Sequence, residues 1–86
     1  MESVKYIGLD VHQSTISVAV LNAEGKLVMQ SVIATTATAV LDLLKGLRGV
    51  LHVTFEEGTY SAWLYDVVMR HVARVVVCVI RARMRC

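Results

Sequence analysis

Proline is absent from all 86 residues, so proline kinks and cis-proline bonds play no part in the fold. No uninterrupted apolar run approaches the roughly 18 residues that a membrane-spanning helix needs. The first residues also lack the basic segment and apolar core of a secretory signal. The two cysteines, Cys78 and Cys86, have no metal-ligand spacing and predict no disulfide framework. We therefore expect a cytoplasmic location, in a reducing compartment, with no membrane partner.

Positive charge is scarce until the chain ends. Residues 1–80 carry six Lys or Arg against seven acids, so they lack the basic stripe of a phosphate-backbone binder. The net charge of +2 comes from Arg81, Arg83 and Arg85. We expect residues 81–86 to be a divergent basic tail that is simply solvated, with nucleic-acid contact as the less favoured alternative.

The abundant feature is apolar character. The chain is 56% hydrophobic and 19% charged, and its mean hydropathy is +0.59. This composition excludes a disordered chain. It predicts one small domain over residues 1–80, with a sheet buried on more than one face or a surface that expects a neighbour.

The first third of the chain predicts an antiparallel meander. Between residues 14 and 21, Ile16, Val18 and Val20 alternate with small residues, which is the period of a half-buried strand. Gly25 suits a turn that requires a positive φ. The three predicted strands cover residues 4–10, 14–21 and 26–33.

The remainder predicts two helices that alternate with two strands. Thr35 or Thr36 can cap the first helix, which carries apolar residues at helical spacing up to Leu47. The last strand is largely apolar, which favours a central parallel position, and helices could cover both faces of the sheet. The predicted elements are the first helix to about residue 47, a strand over 50–55, a helix over about 59–72 with Trp63, Leu64, Val67 and Val68 on its buried face, and a strand over 73–80.

The predicted order is therefore βββαβαβ, an α/β fold with a mixed sheet. Two folds begin in this way: the RNase H-like nucleases and integrases, and the actin-like or sugar-kinase ATPases. In the ATPases a Gly-rich hairpin follows the first Gly-x-Asp, so that backbone N–H groups can approach phosphates. Here Val11, His12 and Gln13 stand at that point, and no glycine follows until Gly25, which argues against phosphate binding.

Asp10 is the sharpest chemical signal. It ends an apolar strand in the stretch YIGLDVH, where an ionised carboxylate is costly to desolvate unless a cation binds it. In two-metal nucleases, carboxylates at strand ends hold Mg²⁺ ions about 4 Å apart. The ordinary alternative is an Asp that caps the following turn. His12 could point the same way, but it reads as a turn residue rather than a ligand because Mg²⁺ prefers oxygen.

Glu56 and Glu57 close the fourth strand. If that strand lies beside the first, an acid at its end can face Asp10. Neighbours on a strand point to opposite faces, so one of the two would be a second metal ligand and the other would face solvent. The ordinary alternative is an acidic loop.

Four stretches together resemble the opening of the IS110-type transposases. They are YIGLDVHQSTISVAVL at residues 6–21, HVTFEEGTY at 52–60, WLYD at 63–66 and VVVC at 75–78. The resemblance implies a RuvC-like, RNase H-like domain whose Asp-Glu-Asp-Asp set binds Mg²⁺. It also implies a separate domain with a serine nucleophile, a structured guide RNA that pairs with DNA, and a homo-oligomer of the full-length protein.

Carried over to this chain, Asp10 matches the first acid of that set and Glu56 the Glu. Glu57 is the fallback, because a small residue is usual there. The chain departs from the family at Val79-Ile80, where Asn-Pro and a basic helix usually follow. We therefore expect an incomplete N-terminal fragment without the last two acids and the serine domain, and without strand-transfer activity alone. The alternatives are an actin-like or sugar-kinase ATPase fragment and a non-catalytic RNA-binding or dimerising remnant.

Overall fold

Three antiparallel strands open the fold in the computed structural model, which describes residues 3–79. Strand β2 buries Ile16, Val18 and Val20 and turns its other side chains outward, as the alternation predicts. Gly25 has φ +81° in the β2–β3 turn, which confirms the expected positive φ. The strands are β1 (Val4–Val11), β2 (Thr15–Leu21) and β3 (Leu27–Ala34).

Two helices and two further strands complete the described chain, so the order βββαβαβ is confirmed. Thr36 caps the first helix, since its side chain accepts a hydrogen bond from the Ala39 N–H at 3.1 Å. The second helix is shorter than predicted because the chain leaves helical geometry after Val68 and forms a turn. The elements are α1 (Ala37–Lys45), β4 (Val50–Glu56), α2 (Ser61–Val68) and β5 (Arg74–Cys78).

The strands form one mixed sheet in the order β3-β2-β1-β4-β5. Strand β1 is central: it pairs antiparallel with β2 and parallel with β4. The expected neighbourhood of the first and fourth strands is therefore confirmed. The last strand is parallel, as expected, but it is not central: within residues 3–79, β5 pairs only with β4 and forms an edge. Its apolar sequence does not require burial on both faces, and Val76 remains 38% exposed.

One hydrophobic core lies between the sheet and the two helices. Both helices contribute two buried residues each, Val40 and Leu44 from α1 and Leu64 and Val68 from α2. Among the described residues both helices pack on one side of the sheet, where the core lies. The buried strand residues in this core are Ile7, Leu9, Ile16, Val18, Val20, Leu51, Val53 and Phe55.

The opposite side, which we call the open face, carries the alternate residues of the same strands. Tyr6 is 43% and Val32 66% exposed there. Gly8 and Ala19 are opposed in the β1–β2 register, and Gly8 and Thr54 in the β1–β4 register. The open face therefore has small side chains at its centre and larger apolar ones around them.

Cys78 corrects a further expectation, because it takes part in a disulfide. An apolar strand residue gives no local sequence signal for such a bond. Within residues 3–79, neither helix is long and apolar enough to cross a bilayer. The predicted basic tail 81–86 and the expected strand residue Ile80 lie outside the described residues.

Candidate functional site: two carboxylates at the carboxyl ends of parallel strands

Asp10 lies near the carboxyl end of the central strand. Leu9 before it is buried in the core, so Asp10 projects from the open face. The Asp10 carboxylate is 70% exposed, and its Oδ2 lies 3.2 Å from Nε2 of His12, which is 58% exposed. The imidazole ring of His12 thus points towards the Asp10 carboxylate. The contact places an imidazole nitrogen beside Asp10 without taking its carboxylate out of water.

Glu56 is the last residue of the neighbouring parallel strand. In the register of β1 and β4, Leu9 is opposite Phe55, and Asp10 and Glu56 follow those two residues directly. Phe55 is buried, so Glu56 projects from the same side of the sheet as Asp10. The parallel pairing therefore brings two acidic side chains to one end of one face.

The two carboxylates line the same depressions. One is a shallow concavity on the open face, bordered by Asp10, Glu56, Ser17 and Gln30. The other is a cavity of about 120 Å³ at the sheet end, bordered by Asp10, Glu56, Glu57 and the turn that leads into α2. Asp10 and Glu56 border both, so a cation between the two depressions could contact both acids.

Glu57 occupies a different position from Glu56. It follows the strand, and its backbone N–H donates a hydrogen bond to the Cys78 carbonyl oxygen at 2.7 Å. Its side chain borders only the sheet-end cavity. The sequence alone could not separate the two glutamates, whereas the register assigns only Glu56 to the open face beside Asp10.

The turn after Glu57 leads into the second helix. Ser61 donates to the Gly58 carbonyl oxygen through its N–H at 3.1 Å and through its hydroxyl at 2.9 Å. This turn starts α2, whose N-cap residue Tyr60 makes no side-chain capping bond. Acids that precede a helix N-terminus interact favourably with its dipole. Glu56 and Glu57 lie outside the first turn of α2, which contains no acidic residue, so this effect assigns them no structural role.

The donor set suits a hard divalent cation held loosely. Mg²⁺ takes oxygen ligands, keeps several of its waters and is usually bound through one or two carboxylates together with phosphate oxygens. Asp10 and Glu56 supply two carboxylates, exposed enough for a hydrated ion. Across residues 3–79, no group of three or more His, Cys, Asp or Glu comes together as a metal site. The pair thus fits one hydrated Mg²⁺ but does not enclose it.

Sequence reasoning missed a second group of polar residues on the open face. Tyr6, His52 and Arg74 lie side by side on β1, β4 and β5. The rings of Tyr6 and His52 meet edge to face, with centroids 5.3 Å apart. These residues border an apolar groove of about 370 Å³. Only the strand register brings them together, since they are far apart in the chain.

No family model matches the chain, and no curated protein matches it.

Proposed function

We propose that this chain is the N-terminal part of an RNase H-like (RuvC-like) transposase domain of the IS110 type. In this proposal Asp10 and Glu56 are the first two ligands of its catalytic Mg²⁺ site. The observation that carries the proposal is that the two acids end neighbouring parallel strands on one face and border the same depressions. Both residues also match the acids of the motifs that resemble that family.

The sheet supports this proposal over an unrelated α/β fold. A meander of three antiparallel strands continues into a parallel strand that returns to the centre of the sheet, beside β1. In open α/β sheets, sites form at the carboxyl ends of parallel strands. Asp10 and Glu56 lie at such an end, and the β1–β2 hairpin brings His12 back to it.

The role assigned to the two acids is to hold and orient a metal ion. A bound Mg²⁺ lowers the pKa of a water ligand and stabilises negative charge on the leaving oxygen during cleavage of a phosphodiester. Asp10 and Glu56 would hold and orient that ion, and the Nε2 of His12 would orient the Asp10 carboxylate. Two carboxylates are half of the family's Asp-Glu-Asp-Asp set, so this chain contributes ligands rather than a complete two-metal site.

The partners that this proposal implies are DNA and a guide RNA, in a homo-oligomer of the full-length protein. Residues 1–80 carry too few basic side chains to bind a phosphate backbone by charge. Arg81, Arg83 and Arg85 follow β5 in the sequence and account for the net positive charge of the chain. The proposal therefore assigns nucleic-acid affinity to parts other than the described sheet.

The ATPase alternative gains no support from the β1–β2 hairpin. Its turn contains no glycine, and the His12 N–H is already donated to the Thr15 carbonyl oxygen at 2.8 Å. A phosphate would have to displace that hydrogen bond. The dimerising alternative has one observation in its favour, the exposed apolar residues of the open face.

Incubation of the chain with DNA in Mg²⁺ or Mn²⁺ is expected to give no strand cleavage or transfer. The reason is that two carboxylates cannot position two metal ions on either side of the scissile phosphate. Single-turnover assays on labelled duplex and single-stranded DNA measure this. The Asp10→Asn variant is the control for a contaminating nuclease: turnover that this variant abolishes would contradict the expected inactivity. The nucleotide sequence after codon 86 tests descent, because an overlapping frame that encodes an Asp-x-x-Asp helix and a serine domain would support the proposed family.

A further inference from the structure

The apolar groove on the open face lies at the end of the sheet away from the candidate metal site. Its volume of about 370 Å³ falls within the range of small-molecule sites, about 300–1,000 Å³. Among the described residues its lining includes neither Cys78 nor the carboxylates of Asp10 and Glu56. A small ligand in this groove would therefore leave those two carboxylates accessible to a cation.

The floor of the groove is flat and has small side chains. Gly8 is opposite Thr54 on β4 and opposite Ala19 on β2. The only heavy atom of the described residues within 4 Å of a Cβ built at Gly8 is the Ala19 carbonyl oxygen, at 4.0 Å. Leu21 and Val76 border this floor. The shape suits a planar apolar ring system that lies against the strands.

The polar groups of the groove lie together at one end, and none of them is acidic. Tyr6, His52 and Arg74 are side by side there on three neighbouring strands. Arg74 is exposed, and within residues 3–79 its guanidinium makes no ion pair with a carboxylate. The nearest acid on β1, Asp10, lies four residues from Tyr6, which is about 13 Å along the strand. This end of the groove is therefore suited to an anion.

The groove is open to solvent and its aromatic end is already ordered. Tyr6 is 43% and Val76 38% exposed, so a ligand could bury apolar area that the chain leaves in water. The rings of Tyr6 and His52 contact each other edge to face, at an interplanar angle of 86°. Because this contact holds both rings, a ligand would have fewer side chains to order when it binds.

We propose that this groove binds a small planar aromatic carboxylate. The ring system lies on the floor over Gly8 and Ala19, and the carboxylate accepts hydrogen bonds from the guanidinium of Arg74. A guanidinium presents paired N–H donors that match the two oxygens of a carboxylate. The inference goes beyond the proposed Mg²⁺ site and does not depend on it, since neither proposed ligand borders the groove.

The charge and the floor of the groove select this class of ligand over two others. A nucleic acid would need several cationic side chains along its backbone, whereas Arg74 is the only Lys or Arg among the described residues of the lining. A neutral aromatic molecule would partly cover the guanidinium without giving it an acceptor, which costs free energy. A single negative charge on an apolar ring system satisfies both the guanidinium and the floor.

An NMR titration of ¹⁵N-labelled chain with indole-3-acetate, in EDTA, tests the proposal. We expect amide shifts centred on residues 8, 19, 54 and 76 and a Kd of about 0.1–1 mM, as for a small ligand in an open groove. The matched probe is indole-3-acetamide, which has the same shape without the charge. It is expected to bind at least about fivefold more weakly, because it loses the charge-assisted hydrogen bonds to the guanidinium.

Arg74→Gln is expected to remove this preference for the acid and to leave the affinity for the amide unchanged. Arg70→Gln makes the same change in the exposed turn after α2 and is expected to keep the preference. Gly8→Val fills the floor, where the monomer has room for the added side chain. It is expected to be folded by circular dichroism and to bind both probes about tenfold more weakly or worse.

Absence of binding up to about 10 mM indole-3-acetate would overturn the proposal. So would equal affinities for the acid and the amide, shifts centred outside the groove, or a preference that survives in Arg74→Gln. Shifts at the groove that depend on chain concentration without any probe would overturn it too, because they would show a second copy there. EDTA removes divalent cations, so failure here leaves the proposed Mg²⁺ site untouched, and failure of that site does not change this result.

Discussion

Replacing Leu64 with alanine is expected to lower the free energy of unfolding by about 2–5 kcal/mol. Leu64 is fully buried, and it and Val68 are the buried residues of α2. At about 0.05–0.15 kcal/mol per residue, the whole chain has on the order of 4–13 kcal/mol to lose. The change therefore removes a large part of the stability and leaves much of the variant unfolded at physiological temperature. Urea unfolding followed by far-ultraviolet circular dichroism measures it.

Tyr65→Ala is the matched control, since Tyr65 lies on the same helix and is 40% exposed. Its effect is expected to stay within about 0.5 kcal/mol. Comparable losses for the two variants would contradict the packing of α2 described here, because they would mean that Leu64 is no more buried than its neighbour.

Gly49→Ala is the second substitution with a large expected effect, a loss of about 2–4 kcal/mol. Gly49 has φ +98°, which costs an L-residue about 1–2 kcal/mol. A Cβ at this position would also overlap the Ser3 carbonyl oxygen. That oxygen accepts the Val50 N–H at 2.8 Å, so relieving the overlap breaks a bond worth about 1 kcal/mol. The hydrogen bond joins the start of β4 to the segment before β1. Its loss therefore affects the edge between the central strand and β4.

Gly25→Ala separates the cost of a positive φ from the cost of the overlap with the Ser3 carbonyl oxygen. Gly25 has φ +81°, but no atom lies within 4 Å of an added Cβ. Its loss is expected to be about 1–2 kcal/mol, the cost of backbone strain alone. Thermal or urea unfolding of the two variants side by side measures the difference. Equal losses would show that the contact between Gly49 and Ser3 does not constrain the fold.

Much of the fold follows from local pattern. The alternation of Ile16, Val18 and Val20 suffices for β2, and Thr36 suffices for the start of α1, because both depend on residues close in the chain. The position of β5 within the sheet does not follow from its own sequence. The apolar run in β5 is compatible with an edge or a centre, and only the order of the strands decides between them.

The end of α2 could not be predicted for a related reason. Val72 continues the apolar pattern and does pack against the core. It does so from the turn after Val68, not from a further helical turn. An apolar residue in the sequence indicates burial, but it does not indicate the backbone conformation in which the residue is buried.

In the candidate site, too, some residues could be predicted from the sequence and others could not. Asp10 and the pair Glu56 and Glu57 could be singled out from sequence because they end apolar strands, whereas only the register separates the two glutamates. The contact of His12 with Asp10 depends on the hairpin turn, and the group of Tyr6, His52 and Arg74 depends on strands that are distant in the chain. Register, which sequence pattern does not report, creates both.

Titration of ¹⁵N-labelled chain with Mn²⁺ and Mg²⁺, followed by NMR, tests the central claim that Asp10 and Glu56 bind one cation together. Paramagnetic broadening is expected to centre on residues 10 and 56, with Mg²⁺ competing at roughly millimolar concentration. Asp10→Asn and Glu56→Gln are each expected to weaken binding by about tenfold or more. Glu57→Gln is expected to retain binding. Glu24→Gln, in the β2–β3 turn at the opposite end of the sheet, is expected to leave it unchanged.

Broadening centred elsewhere, or equal loss in the Glu24→Gln and Glu56→Gln variants, would contradict the account.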